Sequence, residues 1–277
     1  MQKAVTLAGR GMNLTSPNPR VGCVIVKDGR VIGRGYHKKF GSLHAEAEAL
    51  ATADEPTGGA TLFVTLEPCS HTGKTPPCSE AIIKAGIKRV VVGLKDPSPE
   101  IKGIQKLKEN GVEVKVGVMA EECAEIIRDF IKIRNEKKPY VTLKSALSLD
   151  GKIATRTGAS RWISSPASRD YTMKLRGMSD AVMIGAGTAN NDNPALTYRL
   201  DEPEARDPLR IIVDGRLSVD SGLEIIREGT VLMAAEDADR EKEKVLAAKG
   251  AKIIRLPAKE GSRIAPADIL AELYKMD

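Results

Sequence analysis

Aromatic side chains are scarce: one Trp, five Tyr and three Phe stand in 277 residues. So small a set leaves little from which to build the stacking platforms that hold single-stranded nucleic acid. No apolar run approaches the length of a membrane-spanning helix. The opening stretch MQKAVTLAGRGMN is amphipathic and lacks the apolar run of a signal peptide, so a cytoplasmic protein is expected. Four cysteines without a secretory signal argue against a disulfide framework. The formal net charge is +6, but the basic residues are interleaved with Asp and Glu instead of clustered. That balance fits phosphorylated small molecules better than nucleic acid or a membrane.

What the chain does hold is concentrated between His44 and Cys78. There LHAEAEAL is followed by the strand-like TLFVTLEP and then by CSHTGKTPPC. A lone His-x-Glu or a lone cysteine pair says little. In this order, with an apolar strand between them, they match the zinc-deaminase pattern: one His and two Cys on the metal, and a non-ligand Glu that moves protons. Zinc takes nitrogen and sulfur ligands, and a catalytic site leaves its fourth tetrahedral position open. Two thiolates offset the charge of the ion, so a carboxylate must accept a proton and pass it to the leaving ammonia. His44, Cys69 and Cys78 are the candidate ligands, and Glu46 is the candidate proton carrier. On an ideal helix Glu48, four residues after His44, would share its face better. Glu46 is preferred on the motif, with His44 expected in the relaxed first turn. Cys78 directly precedes the helical SEAIIKAG, and a helix N-terminus lowers a thiol's pKa, which suits a ligand. A Cys69–Cys78 disulfide, or two idle thiols, is the bland alternative.

Two domains are expected, 1–138 and 139–277, because the pattern restarts near Glu136-Lys137-Lys138-Pro139. The first reads as a helix over residues 3–14, a hairpin through Asp28-Gly29 and a helix opened by His44. Strands follow at TLFVTLEP, KRVVVGL and VEVKVGV, and then a helix at EECAEIIRDFIKIR. The alternation predicts a layered α/β sheet. In the second, PYVTLKSALS reads as a strand, DGK as a tight turn and SRWISSPASRDYTMKLRGMSD as a capped helix. AVMIG is a strand leading into a glycine-bearing loop. LRIIVDGRLSV, TVLMAAE and AKIIRLP are strands, DADREKEKVLAAKG is a charged helix, and APADILAELYKMD is a last helix. GAGTAN is not GxGxxG, so the nucleotide signal is weak by itself. Asn18, between two prolines, can pair with a base-like edge through donor and acceptor, or simply form a turn. Cys23 is expected in the core, and Cys123 as structural or solvent-facing.

Taken together, TSPNPRVGCVIVKDG, GYHKKFGSLHAEAEAL, TLEPCSHTGKTPPC, PYVTLKSALSLDGKIATRTGASRWIS and GAGTANNDNPALTYR resemble one family, the bifunctional deaminase/reductases of riboflavin biosynthesis. The matching blocks run to about Gly215. The resemblance implies an N-terminal cytidine-deaminase-like three-layer α/β/α domain and a C-terminal dihydrofolate-reductase-like α/β domain. The first would hydrolyse the 2-amino group from a phosphorylated diaminopyrimidinone, and the second would use NADPH to reduce the ribosyl group to a ribityl chain. It implies zinc on His44, Cys69 and Cys78, proton transfer by Glu46, and Asn18, His37, His71 and Lys74 around the pyrimidine and its phosphate. It also implies Ala146, Trp162, Thr188 and Asp192 at NADPH, and Ser160, Arg176, Leu196 and Arg199 at the reductase substrate. Arg176 and Arg199 would act as phosphate forks. A surface-helix arginine and a core tryptophan are the plain alternatives for Arg176 and Trp162.

Ordinary cytidine and tRNA deaminases space these cysteines as CxxC, whereas eight residues separate Cys69 from Cys78, which argues against nucleic-acid editing. Two departures from the family pattern stand out. The loop after Asp96-Pro97-Ser98-Pro99 is slightly shorter, and no VEGG strand with its following cofactor-binding helix start occurs within the 277 residues. The expectation is therefore a reductase domain incomplete at its C-terminus, with an unpaired sheet edge and association into homo-oligomers. A deaminase beside a non-functional reductase, an NADPH reductase with a merely substrate-binding first domain, and a nucleic-acid deaminase of the same fold are the competing readings.

Overall fold

Runs of β-branched residues become strands wherever a partner lies alongside, and both halves of the chain show this. In a computed structural model, which describes residues 1–71, 76–200 and 206–276, two units form, Met1–Tyr140 and Val141–Asp277.

The first unit contains α1 (Gln2–Ala8), a 3-10 turn (Asn13–Thr15), β1 (Gly22–Lys27), β2 (Arg30–Tyr36), α2 (Ala45–Ala51) and β3 (Thr61–Leu66). There follow α3 (Cys78–Lys84), β4 (Arg89–Leu94), α4 (Gly103–Glu109), β5 (Glu113–Val116), α5 (Ala120–Ile126) and α6 (Arg128–Glu136). The strands lie in the order β2-β1-β3-β4-β5, with β1 antiparallel to both β2 and β3, and β3, β4 and β5 mutually parallel. Side chains alternate across each strand. One row, Cys23, Ile25, Leu62, Val64, Val90 and Val92, packs on Ala45 and Ala49 of α2, Ile82 of α3 and Leu107 of α4. On the opposite face Gly22 meets α1 and Gly93 meets Cys123 of α5. The result is helix, sheet, helix. Truncating a core side chain such as Leu62 to Ala would cost about 2–5 kcal/mol.

Close approach of α2 to β2 depends on glycine. A Cβ built on Gly35 would lie 2.2 Å from the Ala45 carbonyl oxygen and 2.5 Å from the Ala49 nitrogen. Only a residue without a side chain lets the start of α2 rest on the strand.

The second unit contains α7 (Pro166–Gly177), β6 (Ala181–Gly185), α8 (Ala186–Asp192), β7 (Leu209–Val213), β8 (Thr230–Ala235) and α9 (Arg240–Ala248). It ends with β9 (Lys252–Leu256), the short pair β10 (Ala258–Lys259) and β11 (Arg263–Ile264), and α10 (Pro266–Lys275). Strands β6 to β9 form a parallel sheet in sequence order. Core residues lie on both faces, with Ile212, Leu232 and Leu246 in one cluster and Ile211, Val231, Met233 and Ile269 in the other. Burial on both sides explains why β8 reads TVLMAA without alternation. Ser165 caps α7, its Oγ accepting the Ser168 N–H at 3.2 Å, and Pro166 follows at the first helical position.

The layered α/β architecture is the expected one, but four local expectations are corrected. The helix expected over 3–14 stops at Ala8, because Gly9 and Gly11 follow and glycine disfavours helix. The helix expected at 121–134 breaks at Ile127, whose φ of −114° and ψ of 25° separate α5 from α6. The glycine-bearing loop after β6 is instead α8, which begins at once at Ala186. PYVTLKSALS forms no strand among the described residues: a strand needs a ladder partner, and Val141, Leu143, Leu147 and Leu149 stand exposed. Cys23 is buried as expected, and Cys123 is buried as well. Among the described residues no helix is long and apolar enough to cross a membrane.

Candidate active site

His44 is the N-cap of α2, with φ −70° and ψ 160°, so its ring leaves the row that an ideal helix would give it. Cys69 follows β3 across Pro68, and Cys78 is the first residue of α3. All four cysteines are free thiols. The ligand atoms of His44, Cys69 and Cys78 lie within 4.8 Å of one another. His44 Nδ1 is 3.6 Å from Cys69 Sγ and 3.3 Å from Cys78 Sγ. Zinc–sulfur and zinc–nitrogen bonds at a tetrahedral angle give an N···S edge of about 3.6 Å, so this soft N,S,S set fits the ion.

The electrostatics suit a cation. A hydrogen bond from the Cys78 thiol draws Cys69 down to about 4 against the effect of burial, and the His44 ring assists. Cys78 is pushed far up in turn, first by that hydrogen bond and then by burial. The Cys78 N–H also donates to Cys69 Sγ at 3.2 Å. His44 is raised, chiefly by its hydrogen bond to Cys69.

Glu46 is 4% exposed. Burial, and then the Cys69 charge, raise its carboxyl to about 7, while a hydrogen bond with Cys78 pulls the other way. Glu48 is engaged elsewhere. Its Oε2 accepts the Tyr36 N–H at 2.9 Å, and its Oε1 pairs with Lys38 Nζ at 2.6 Å.

His37 is buried beside the cluster, with its ring 5.4 Å from that of His44 and edge-on to it. Its Nδ1–H donates to the Leu43 carbonyl at 3.1 Å, which leaves Nε2 to accept from Asn18 Nδ2 at 3.2 Å. Burial lowers its pKa and favours the neutral ring that this pattern needs. Asn18 and His37 are thus brought together. His71 is exposed on the loop after Cys69, and Lys74 lies outside the described residues.

In the second unit Arg176 and Arg199 meet. Arg176 Nη1 donates to the Thr197 carbonyl at 2.9 Å, and Arg199 Nη1 reaches the same oxygen at 3.4 Å and Thr197 Oγ1 at 3.3 Å. Burial, and then the Arg199 charge, lower the Arg176 pKa. Leu196, with φ +50°, is buried in the core. Thr188 and Asp192 stand exposed one turn apart on α8, directly after the carboxyl end of β6. Open parallel sheets take ligands at that end, so these residues fit a nucleotide cofactor. The Asn190 and Asn193 side chains fix the helix by accepting the Asp220 and Glu224 N–H groups at 2.9 and 3.0 Å. Trp162 is 70% exposed, not core, and the Arg169 guanidinium lies 4.3 Å over its ring. Ser160 is exposed, and Ala146 is half-buried.

Sequence reasoning passes over two buried charges here. Glu67 accepts backbone N–H groups behind Cys69, and Arg20 pairs with Asp129 at 2.6 Å two residues from Asn18. The only available signal was a charge at the end or edge of an apolar run.

Comparison with known proteins places both halves. The family model described as "Cytidine and deoxycytidylate deaminase zinc-binding region" matches residues 1–94, and the "RibD C-terminal domain" matches residues 139–277. The riboflavin biosynthesis protein RibD of Aquifex aeolicus is 45% identical over 92% of this chain and 72% of its own length. That of Bacillus amyloliquefaciens is 43% identical over 99% of this chain and 74% of its own. A crystal structure of a diaminohydroxyphosphoribosylaminopyrimidine deaminase/5-amino-6-(5-phosphoribosylamino)uracil reductase from Thermotoga maritima covers all of this chain with a TM-score of 0.86 and 40% identity. This chain covers 77% of that one. Acinetobacter baumannii RibD gives a TM-score of 0.85 at 39% identity, over 99% of this chain and 76% of that one.

Proposed function

The chain belongs to the RibD family, and from that premise we propose how its residues divide the family's work. It joins a zinc deaminase to an NADPH-dependent reductase of riboflavin biosynthesis. The substrate of the first unit is a phosphorylated diaminopyrimidinone, the class that the Thermotoga relative is described as deaminating.

His44 Nδ1, Cys69 Sγ and Cys78 Sγ hold the metal. When bound there, zinc supplies Lewis acidity that makes water a nucleophile near neutral pH. Glu46 is buried against the thiols, and burial raises its carboxyl above the usual carboxylate range, so it can take up a proton. It takes a proton from the attacking water, keeps it at a carboxylate oxygen away from solvent, and delivers it to the departing amine. Asn18 commits its Nδ2–H to His37 and keeps its amide oxygen for an N–H on the pyrimidine edge. His37, neutral and tied at both ring nitrogens, fixes the orientation of Asn18. For the phosphate we assign His71 and Lys74 on the family pattern, a lysine ammonium being a point charge.

In the second unit Thr188, Asp192, Ala146 and Trp162 bind NADPH, which when bound supplies the hydride that turns the ribosyl group into a ribityl chain. Arg176 and Arg199 grip the substrate phosphate, and Ser160 and Leu196 line the rest of its site. The Thr197 carbonyl between the two guanidiniums keeps both pointed to one place.

The observation that carries this reading is the convergence of the His44, Cys69 and Cys78 ligand atoms within 4.8 Å of one another, with the Glu46 carboxyl buried against them. The test is ammonia release from the diaminopyrimidinone, with zinc quantified on the same sample. One zinc per chain with turnover supports the reading, and a chain that retains no zinc overturns it. Calorimetric titration with NADPH checks the second unit independently.

A further inference from the structure

We propose that Glu67 is a positioning residue for the metal ligand Cys69, acting through a clasp between residues 67–70 and residues 96–104. The proposal rests on the zinc reading above. Glu67 follows the apolar run of β3 and is 5% exposed. A carboxylate so placed must replace its water with hydrogen bonds. Two backbone amides do this: the Ile104 N–H donates to Oε1 at 2.9 Å, and the Asp96 N–H to Oε2 at 3.3 Å. The Glu67 N–H donates to the Leu94 carbonyl at 2.9 Å, which carries the β3–β4 pairing one residue further.

The next residues are held by the same segment. The Pro68 carbonyl lies directly on Gly103, where an added Cβ would sit 1.8 Å from the oxygen. Beyond Cys69, the Lys102 N–H donates to Ser70 Oγ at 2.9 Å. Glu67, Pro68 and Ser70 are therefore all fixed to the start of α4 and the loop before it. Cys69 sits between them with its carbonyl accepting the Ser79 N–H at 3.1 Å and its sulfur facing His44 and Cys78. A thiolate gains affinity for a metal when its position is set beforehand, and losing an outer support costs roughly 10–100-fold in metal affinity. Gln at position 67 keeps one acceptor oxygen but turns an NH2 toward the second backbone N–H. Ala removes both acceptors, and a side chain at Gly103 pushes Pro68 away.

The test uses the full 277-residue chain loaded with zinc, and follows zinc release to an excess of chelator together with the melting temperature. Glu67→Gln and Gly103→Ala should release zinc roughly tenfold faster than the parent chain, with Glu67→Ala faster still. The control is Ile32→Val, a core change on β2 in the same unit, which should lower the melting temperature and leave the release rate unchanged. Ser70→Ala removes only the acceptor for Lys102 and should quicken release in the same direction, which keeps the test open if Glu67→Gln does not fold. Release at the parent rate from both Glu67→Gln and Ser70→Ala overturns the clasp. So does equally fast release from an Ile32→Val chain of matched melting temperature. A parent chain that holds no zinc overturns the site reading and the clasp together, whereas a zinc-loaded parent with unaffected variants overturns the clasp alone.

Discussion

Glu46 and Glu48 stand two positions apart on one short helix and face different partners. Glu46 is buried against the Cys78 thiol, while Glu48 closes a bond to the Tyr36 N–H and an ion pair with Lys38. Because His44 is the helix N-cap and not a residue within its turns, the four-residue spacing from His44 to Glu48 does not place both on the site. The carboxyl nearest the thiols is therefore the one two residues on.

This separation predicts opposite behaviour for two like-sized changes. Glu46→Ala should lower ammonia release by roughly 10²–10⁴-fold, the usual contribution of a general acid–base group, while zinc stays at one per chain. Glu48→Ala should leave most of the turnover and instead lower stability by about 1–3 kcal/mol, because a partly buried backbone N–H loses its acceptor. Parallel assays of ammonia, zinc and melting temperature separate the two. Full turnover in Glu46→Ala would remove it from the mechanism.

A second prediction concerns pH. Burial holds the His37 pKa below that of a free imidazole, about 6.5. Between the lowered folded value and about 6.5, the unfolded chain binds a proton at this residue and the folded chain does not. Stability therefore falls as pH falls through that window. Melting temperatures taken between pH 7.5 and 5.5 should decline more steeply for the parent chain than for His37→Gln. Parallel declines would mean that His37 does not titrate in this way.

The parts of this protein that were legible in its sequence are those in which local pattern and tertiary contact agree. TLFVTLEP and KRVVVGL lie as parallel partners at the centre of the first sheet, and the Asp28-Gly29 turn joins β1 to β2 with positive φ at both residues. His44, Cys69 and Cys78 were legible because metal chemistry restricts the residue types. PYVTLKSALS misled because its alternation is strand-like, yet a strand is a property of a pair, and among the described residues no strand pairs with it. The Glu67 clasp was illegible for the same reason. Its partners are backbone N–H groups of residues 96 and 104, which no side-chain pattern announces.

A third prediction follows from the unequal thiols. With zinc stripped, Cys69 is a partly exposed thiol drawn down to about 4, while Cys78, Cys23 and Cys123 are buried and pushed up, Cys123 to about 11. The thiolate is the nucleophile. Iodoacetamide at neutral pH should therefore label Cys69 before the other three, and added zinc should protect it. Peptide mass mapping reads the order. Even labelling of all four, or Cys123 first, would contradict the assigned asymmetry.

The last prediction tests the arginine pair. Arg176 and Arg199 converge on one carbonyl, and the Arg176 guanidinium is partly desolvated beside a like charge. Two cations held this close favour an anion between them, and a hydrogen bond to a charged group contributes about 1.5–3 kcal/mol. Arg176→Ala should then raise KM for the phosphorylated reductase substrate by roughly 10–150-fold with a smaller change in kcat. Arg199→Ala should act in the same direction. The double variant should lose less than the sum of the two, because both side chains are oriented through Thr197 and share one phosphate. The decisive comparison uses the dephosphorylated substrate, on which parent and variants should perform alike. If Arg176→Ala weakens that substrate just as much, the pair is holding α7 to the Thr197 loop and not a phosphate.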